Sequence, residues 1–305
     1  MKTMKLGSST LEVPVLAVGC MRINSLDKVE AERFVQTSLE EGLNFFDHAD
    51  IYGGGKCEEI FSDAIQMNAN IREKIILQSK CGIRNGMFDF SKEHILESVN
   101  AILKRLKTDY LDILLLHRPD ALVEPDEVAA AFDLLETSGK VRHFGVSNQN
   151  PTQIQLLKKS VKQPLVANQL QLSITNATMI SSGINVNMEN NPAVNRDGSV
   201  LDYCRLNDIT IQPWSPFQYG FFEGVFLGSD KFPDLNEKID EIAKKYEVSN
   251  TTIAIAWLLR HPAHMQPVTG TMNIERLKDC CKASDIYLTR EEWYGIYRAA
   301  GNVLP

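Results

Sequence analysis

Asp47, Tyr52, Lys80 and His117 each stand at or just past the end of an early apolar run. Asp47 and Tyr52 lie in GLNFFDHADIYG (42–53), Lys80 ends IILQSK (75–80), and His117 ends YLDILLLH (110–117). An acid, a phenol, an amine and an imidazole in such places fit proton delivery to a carbonyl oxygen. The phenol is the acid, the ammonium lowers its pKa, the carboxylate holds the ammonium, and the imidazole orients the substrate oxygen. Taken singly, Tyr52 reads as a packed tyrosine and His117 as a structural histidine. Lys80 changes that reading, because an ammonium closing an apolar strand needs a partner. Asp47, closing the neighbouring strand, is the natural one.

Eight strand-like runs must position these groups: 13–19, 44–47, 74–80, 112–117, 141–147, 165–171, 208–214 and 265–270. They are short and apolar without clean alternation, as strands buried on both faces are. Helical segments separate them. Residues 91–107 carry a one-sided stripe (Ile95, Leu96, Val99, Ile102, Leu103, Leu106) behind Ser91 as N-cap. The 28–41 segment stops before Gly42, and 249–260 opens at Ser249 or Asn250 and stops before Pro262. Eight strand–helix units without a linker predict one (β/α)8 barrel over residues 1–305, whose site gathers at the C-terminal ends of the strands. The opening MKLGSSTLEV predicts a hairpin plugging the barrel bottom. Residues 175–200 and 217–233 break the rhythm, the second with five phenylalanines, and read as irregular functional loops, the latter a lid or pocket wall.

The 305 residues carry a net charge of −7 with no basic run, which argues against nucleic acid or an anionic membrane as partner. There is no apolar signal core and no apolar stretch of membrane length, so a cytoplasmic setting is expected. Six scattered cysteines without a CxxC pair predict reduced thiols, and Cys81 beside Lys80 reads as a buried bystander.

Protonating groups supply no redox equivalent, so a cofactor is required. No GxGxxG follows the first strand, and Gly53-Gly54-Gly55 lacks the spacing of a dinucleotide or P-loop motif. The later strand ends are the alternative. Ser147-Asn148 and Asn168-Gln169 offer amides and a hydroxyl for a carboxamide. QPWSP presents Trp214 as a stacking face, with Ser215 beside it. GTMNIERLKD (270–279) opens a helix after the last strand, where barrels often bind phosphate, with Arg276 as a fork donor.

The chain as a whole resembles the aldo-keto reductases. The resemblance rests on the ordered set GLNFFDHADIYG, LQSKCGI, LLLHRPD, GKVRHFGVSN, ANQLQLS, QPWSPF and PVTGTMNIERL. It implies a single barrel that reduces aldehydes and ketones with NADPH, less often NADH, and needs no metal. Carried over, Tyr52 is the general acid, tuned by Lys80 and Asp47, and His117 orients the carbonyl. Ser147, Asn148 and Gln169 would hold the nicotinamide amide, and Trp214 would stack on its ring where many members have Tyr. Ser215, Pro216, Gly270, Thr271, Met272, Arg276 and Asp279 would line the phosphate and adenosine region, and Met21 and Arg22 would border the cofactor. The chain departs from the pattern at Gly270, where many members have Lys, and at Asp279-Cys280, where many have Glu-Asn. The substrate would be a small carbonyl compound in an aromatic, apolar pocket drawn from Phe88, Phe90, Phe217, Phe221 and Trp293. A monomer or weak homo-oligomer is expected. The rival within the same resemblance is a nicotinamide-binding regulatory subunit like the potassium-channel β-subunits.

Overall fold

The computed structural model describes residues 1–304. The chain opens with an antiparallel hairpin, β1 (Thr3–Lys5) and β2 (Glu12–Pro14). Barrel strands β3 (Ala17–Gly19), β4 (Phe45–Asp47) and β5 (Ile76–Cys81) follow, then a small hairpin, β6 (Ile83–Arg84) and β7 (Met87–Phe88). The barrel continues with β8 (Leu111–Leu116), β9 (Val141–Ser147), β10 (Leu165–Gln171) and β11 (Thr210–Trp214). A further hairpin, β12 (Gln218–Tyr219) and β13 (Gly224–Val225), precedes the last barrel strand, β14 (Val268–Thr269). The eight barrel strands are parallel in the order β11-β10-β9-β8-β5-β4-β3-β14. The seam between the end strands is bridged where the Gln266 N–H donates to the Ile211 carbonyl at 3.0 Å.

The apolar run 13–19 does not form one strand. Its first residues pair with β1 in the hairpin and only Ala17–Gly19 enters the barrel. The plug itself is as expected: Leu6 and Val13 pack with Phe45, Ile113, Leu115 and Val166 at the barrel floor. At the hairpin turn a β-carbon on Gly7 would lie 2.2 Å from the Val166 carbonyl oxygen, and φ there is +52°, so only glycine fits.

Inside the barrel the side chains alternate by layer. Phe45, Ile76, Ile113 and Ala167 face inward at the bottom, while Phe46, Leu77 and Leu114 join the outer core beneath the helices. Two residues further along, the inward positions of β4, β5, β10 and β11 are Asp47, Gln78, Gln169 and Gln212, all buried. Two helices carry the N-caps read from the sequence: Ser91 caps Lys92–Leu106 and Ser249 caps Asn250–Leu259. The helix Lys28–Glu40 opens with a capping box of Asp27 and Glu30 that the sequence reading did not name. A box or cap of this kind stabilises a helix by about 1 kcal/mol.

The 175–200 loop is more regular than expected. It contains the helix Thr178–Ile184 and a 3-10 turn at Asn191–Ala193. The second loop folds into the β12–β13 hairpin, which stands beside the barrel mouth. No helix among the described residues is long and apolar enough to cross a membrane.

Candidate active site

The parallel register brings the ends of β4, β5 and β8 together, and with them three of the four groups. The fourth, Tyr52, is delivered by the chain turning back after β4. The Tyr52 N–H donates to the Ala49 carbonyl at 3.1 Å, and left-handed Gly53 and Gly54 complete the turn. The Lys80 ammonium is the hub. It donates to both Asp47 carboxylate oxygens at 2.7 and 2.8 Å, to the His48 carbonyl at 2.7 Å, and to the Tyr52 hydroxyl at 3.3 Å. Lys80 is fully buried and Asp47 nearly so.

The electrostatics follow from that burial. Desolvation works against the Lys80 charge, but Asp47 and then Tyr52 outweigh it and hold its pKa above the ordinary lysine value. The Tyr52 hydroxyl departs from expectation. Burial raises its pKa more than Lys80 lowers it, so the net direction is up. The cation beside Tyr52 is visible in the sequence, whereas the desolvation of the phenol is not. The consequence is a phenol that stays protonated at neutral pH. His117 is held far below its ordinary pKa by burial, then by Lys80 and Arg118. It is therefore a neutral imidazole, and its ring stands edge-on to Tyr52 with centroids 6.0 Å apart.

Beneath this group the interior glutamines form a hydrogen-bonded layer. The Gln78 amide donates to Asp47 Oδ1 at 2.7 Å and to Gln212 Oε1 at 2.9 Å. Gln169 donates to the same two oxygens at 3.2 Å each. Gln212 donates to Gln266 at 2.9 Å, and Gln266 to the Pro14 carbonyl of the plug at 2.6 Å. Behind β4 and β5 lies a second buried group. Glu58 accepts from Ser79 at 2.8 Å and from Arg105 at 2.7 Å. Asp50 sits beside them, its carboxyl raised to about 7 by burial and the Glu58 charge against the pull of Arg105.

Asp47, Tyr52 and His117 open into a cavity of about 310 Å³ at the C-terminal mouth of the barrel, with Lys80 buried behind them. Most residues proposed for the cofactor line it: Met21, Arg22, Asp47, Ser147, Asn148, Gln169, Trp214, Ser215, Pro216, Gly270, Thr271 and Arg276. Asn148 and Ser215, each just past a strand end, adopt left-handed backbone (φ +57° and +52°), a strained state for non-glycine residues that clusters at functional sites. Asn148 is held there by its side chain, which donates to Ser147 Oγ at 2.8 Å and accepts from the Trp214 indole at 3.2 Å. The helix Ile274–Lys282 points its first turn at the far end. Asn273 caps it by accepting from the Arg276 N–H at 2.9 Å. Arg22 reaches the same end and donates to the Gly270 carbonyl at 3.2 Å. Neither Arg22 nor Arg276 has a carboxylate partner among the described residues. An amide and hydroxyl set, an indole face, and two guanidiniums without carboxylate partners beside a helix N-terminus are groups that suit a nicotinamide dinucleotide.

Other expected positions fall elsewhere. Met272 packs on the core, and Asp279 accepts from Lys282 at 2.8 Å; neither belongs to the cavity wall. Of the proposed substrate-pocket aromatics only Phe217 lines the cavity. Phe221 is exposed at the mouth, edge-on to Trp214 at 6.4 Å, and its neighbour Phe222 forms the wall instead, stacked on Trp214 at 5.7 Å. Phe88 stands exposed on the β6–β7 hairpin. Phe90 is fully buried because Gly82 leaves room for its ring; a β-carbon at 82 would meet it at 2.3 Å. Trp293 is remote from the mouth, stacked between Trp257 at 4.7 Å and Tyr297 at 5.8 Å in the outer core. The cavity also takes Ile51, Ile83, Arg118 and Val225, which the sequence reading did not select. For Arg118 the signal was present, since it directly follows His117 past a strand end. All six cysteines are free and buried, and burial pushes the Cys81 thiol well up.

An eight-stranded parallel barrel with a lysine–carboxylate–phenol–imidazole group at its mouth defines the class as a barrel oxidoreductase. The comparisons agree. The sequence profile described as "Aldo/keto reductase family" matches residues 15–299. "Oxidoreductase YdhF" of Escherichia coli is 34% identical, over 88% of this chain and 86% of the relative. A "6-dehydroglucose reductase" of Agrobacterium fabrum is 32% identical over 96% of each. The crystal structure of a thermostable aldo-keto reductase, Tm1743, with the inhibitor epalrestat superposes with a TM-score of 0.79 at 26% identity, covering 98% of this chain and all of that one. The chain belongs to the aldo/keto reductase family and is an NAD(P)H-dependent oxidoreductase acting on small molecules.

Proposed function

We propose that the protein reduces aldehydes and ketones to alcohols with NADPH, with Tyr52 as the proton donor. The observation that carries this reading is the Tyr52 hydroxyl, 3.3 Å from an ammonium clamped by Asp47 and open to the cavity beside a neutral imidazole. The nicotinamide, when bound, supplies the hydride. Tyr52 keeps its proton at neutral pH and delivers it to the carbonyl oxygen. Lys80 stabilises the phenolate left behind, at a distance where burial strengthens the attraction. Neutral His117 donates a ring N–H to the same oxygen and fixes its position.

Support for NADPH over NADH comes from the far end of the cavity. Gly270 stands where many relatives carry lysine, but Arg22 lies over that position; a β-carbon on Gly270 would be 3.3 Å from its guanidinium. Arg22 thus brings a cation from β3 to the place the lysine leaves, and Arg276 adds a second. Ser147, Asn148 and Gln169 would hold the carboxamide and Trp214 the ring. The relative from Agrobacterium fabrum, named as a 6-dehydroglucose reductase, makes a sugar-derived carbonyl compound one candidate substrate.

The test is NADPH oxidation with simple aldehydes by the wild type and by Tyr52→Phe. The variant should lose at least about 100-fold in kcat while binding NADPH within a few-fold of the wild type. Near-normal turnover without the phenol would overturn the assignment.

A further inference from the structure

Three guanidiniums line the cavity, and two of them are spoken for by the proposed cofactor. Arg22 and Arg276 gather at Gly270 and Thr271 beyond β14. The third, Arg118, follows the imidazole at the end of β8 and lines the opposite part of the cavity with Ile51, Ile83 and Trp214. It is half-buried, and its guanidinium carbon lies 5.6 Å from the Trp214 ring. Among the described residues it forms no salt bridge and no side-chain hydrogen bond. The other charged groups at hand do not neutralise it. Asp47 is spent on Lys80, and His117 carries no charge.

A partly desolvated guanidinium with five donors and no acceptor is costly unless something supplies one. Burial accordingly depresses the Arg118 pKa from its ordinary value, with the Tyr52 side chain as the opposing influence. Trp214 gives only a cation–π contact, which is weak at a site open to solvent. With no protein acceptor among the described residues, Arg118 is left to water until a ligand anion replaces it, and its place beside His117 is the substrate side of the cavity.

Resting on the reading of this site as a carbonyl reductase, we propose that the substrate carries an anionic group, a carboxylate or phosphate, a few bonds from the carbonyl, and that Arg118 pairs with it. The apolar neighbours Ile51, Ile83 and Phe222 leave a fork–fork pair partly shielded from water, where such bonds are strongest. The pair anchors one end of the molecule, while His117 and Tyr52 take the carbonyl oxygen at the other. Arg118 is thus a specificity-determining residue, distinct from the proton donor.

Two matched substrate pairs test this with the NADPH-loaded enzyme. Succinic semialdehyde is compared with its methyl ester, and glyceraldehyde 3-phosphate with glyceraldehyde. In the wild type the charged member of at least one pair should have the higher kcat/KM, by about 10- to 100-fold. The favoured pair tells carboxylate from phosphate. In Arg118→Met that ratio should fall at least 10-fold, and Arg118→Lys should keep part of it. Equal use of charged and uncharged members by the wild type overturns the proposal without any variant. So does a preference that survives in Arg118→Met, or a loss in that variant confined to glyceraldehyde, which would assign Arg118 to hydroxyl groups. Turnover with no charge preference leaves the reductase reading standing. Absence of NADPH oxidation with all four compounds removes both.

Discussion

Replacing Lys80 by Met would remove the cation from a nearly buried carboxylate. In the native chain the ammonium lies 2.7–2.8 Å from both Asp47 oxygens, and Lys80 is fully buried. At an effective dielectric of about 20 the attraction at that distance is about 6 kcal/mol. Desolvation of the two ions offsets much of it, and loss of one partner from a buried pair costs about 3–5 kcal/mol. The destabilisation of Lys80→Met is therefore expected to be about 3–5 kcal/mol at pH 7. Lys80→Met with Asp47→Asn removes both charges and should recover all but about 1–2 kcal/mol. Urea unfolding followed by circular dichroism at pH 7 measures this. A loss below about 1 kcal/mol, or a double variant no more stable than the single one, would refute the claim that Lys80 exists to neutralise Asp47.

The remaining expectations concern the groups around that pair. The Asp50 carboxyl is raised from 3.8 to about 7, so the fold binds a proton that the unfolded chain has released, and stability falls as pH rises between those values. The ceiling is about 4 kcal/mol, reduced to about 1–2 kcal/mol by the partial exposure of Asp50. Asp50→Asn should thus raise the melting temperature at pH 8.5 and leave it nearly unchanged at pH 4, and parallel curves for variant and wild type would contradict it. Arg276→Ala should weaken NADPH about 10- to 100-fold and NADH less than about 3-fold, read from quenching of tryptophan fluorescence. Equal weakening of both would remove Arg276 from the 2′-phosphate.

Asp47, Lys80 and His117 were legible because each stands at the end of an apolar run, and strand ends of a parallel barrel share one face; Tyr52 was legible as the phenol just past one of those ends. The strands were legible for the same reason, except at 13–19. There Pro14 and the pairing of Val13 with Met4 divert the first half of the run into the plug, a long-range choice that the run itself does not encode. The glutamine layer was not legible. Gln78, Gln169 and Gln212 each look like a polar interruption of a strand, and only closure of the barrel turns them toward one another. The substrate aromatics failed for the opposite reason. Phe90 and Trp293 are the right chemistry in the wrong place, since Gly82 admits one into the core and the stack with Trp257 takes the other. The Tyr52 pKa reversed direction because a nearby cation is visible in a sequence, whereas the desolvation that outweighs it depends on the depth of the site.

The glutamine layer also explains how a short strand can hold the Asp47 carboxylate still. β4 has three residues, and its last, Asp47, ends the pairing with β5. Its carboxylate would swing on a short side chain if Lys80 alone held it. Gln78 and Gln169 fix Oδ1 from within its own layer, and both are fixed in turn by Gln212, which reaches through Gln266 to the backbone of the plug. Each amide in that chain has its donors used against a specific acceptor, so rotation of one would strand the next in a medium where an unpaired polar group costs about 1–3 kcal/mol. A leucine layer would pack as well and add stability, but would leave Asp47 free to choose a rotamer. The bottom of the barrel is therefore apolar, where only cohesion matters, and the layer turns polar one step below the site, where orientation does. On this argument the hairpin plug closes the barrel and also terminates the network that sets the geometry of the acid.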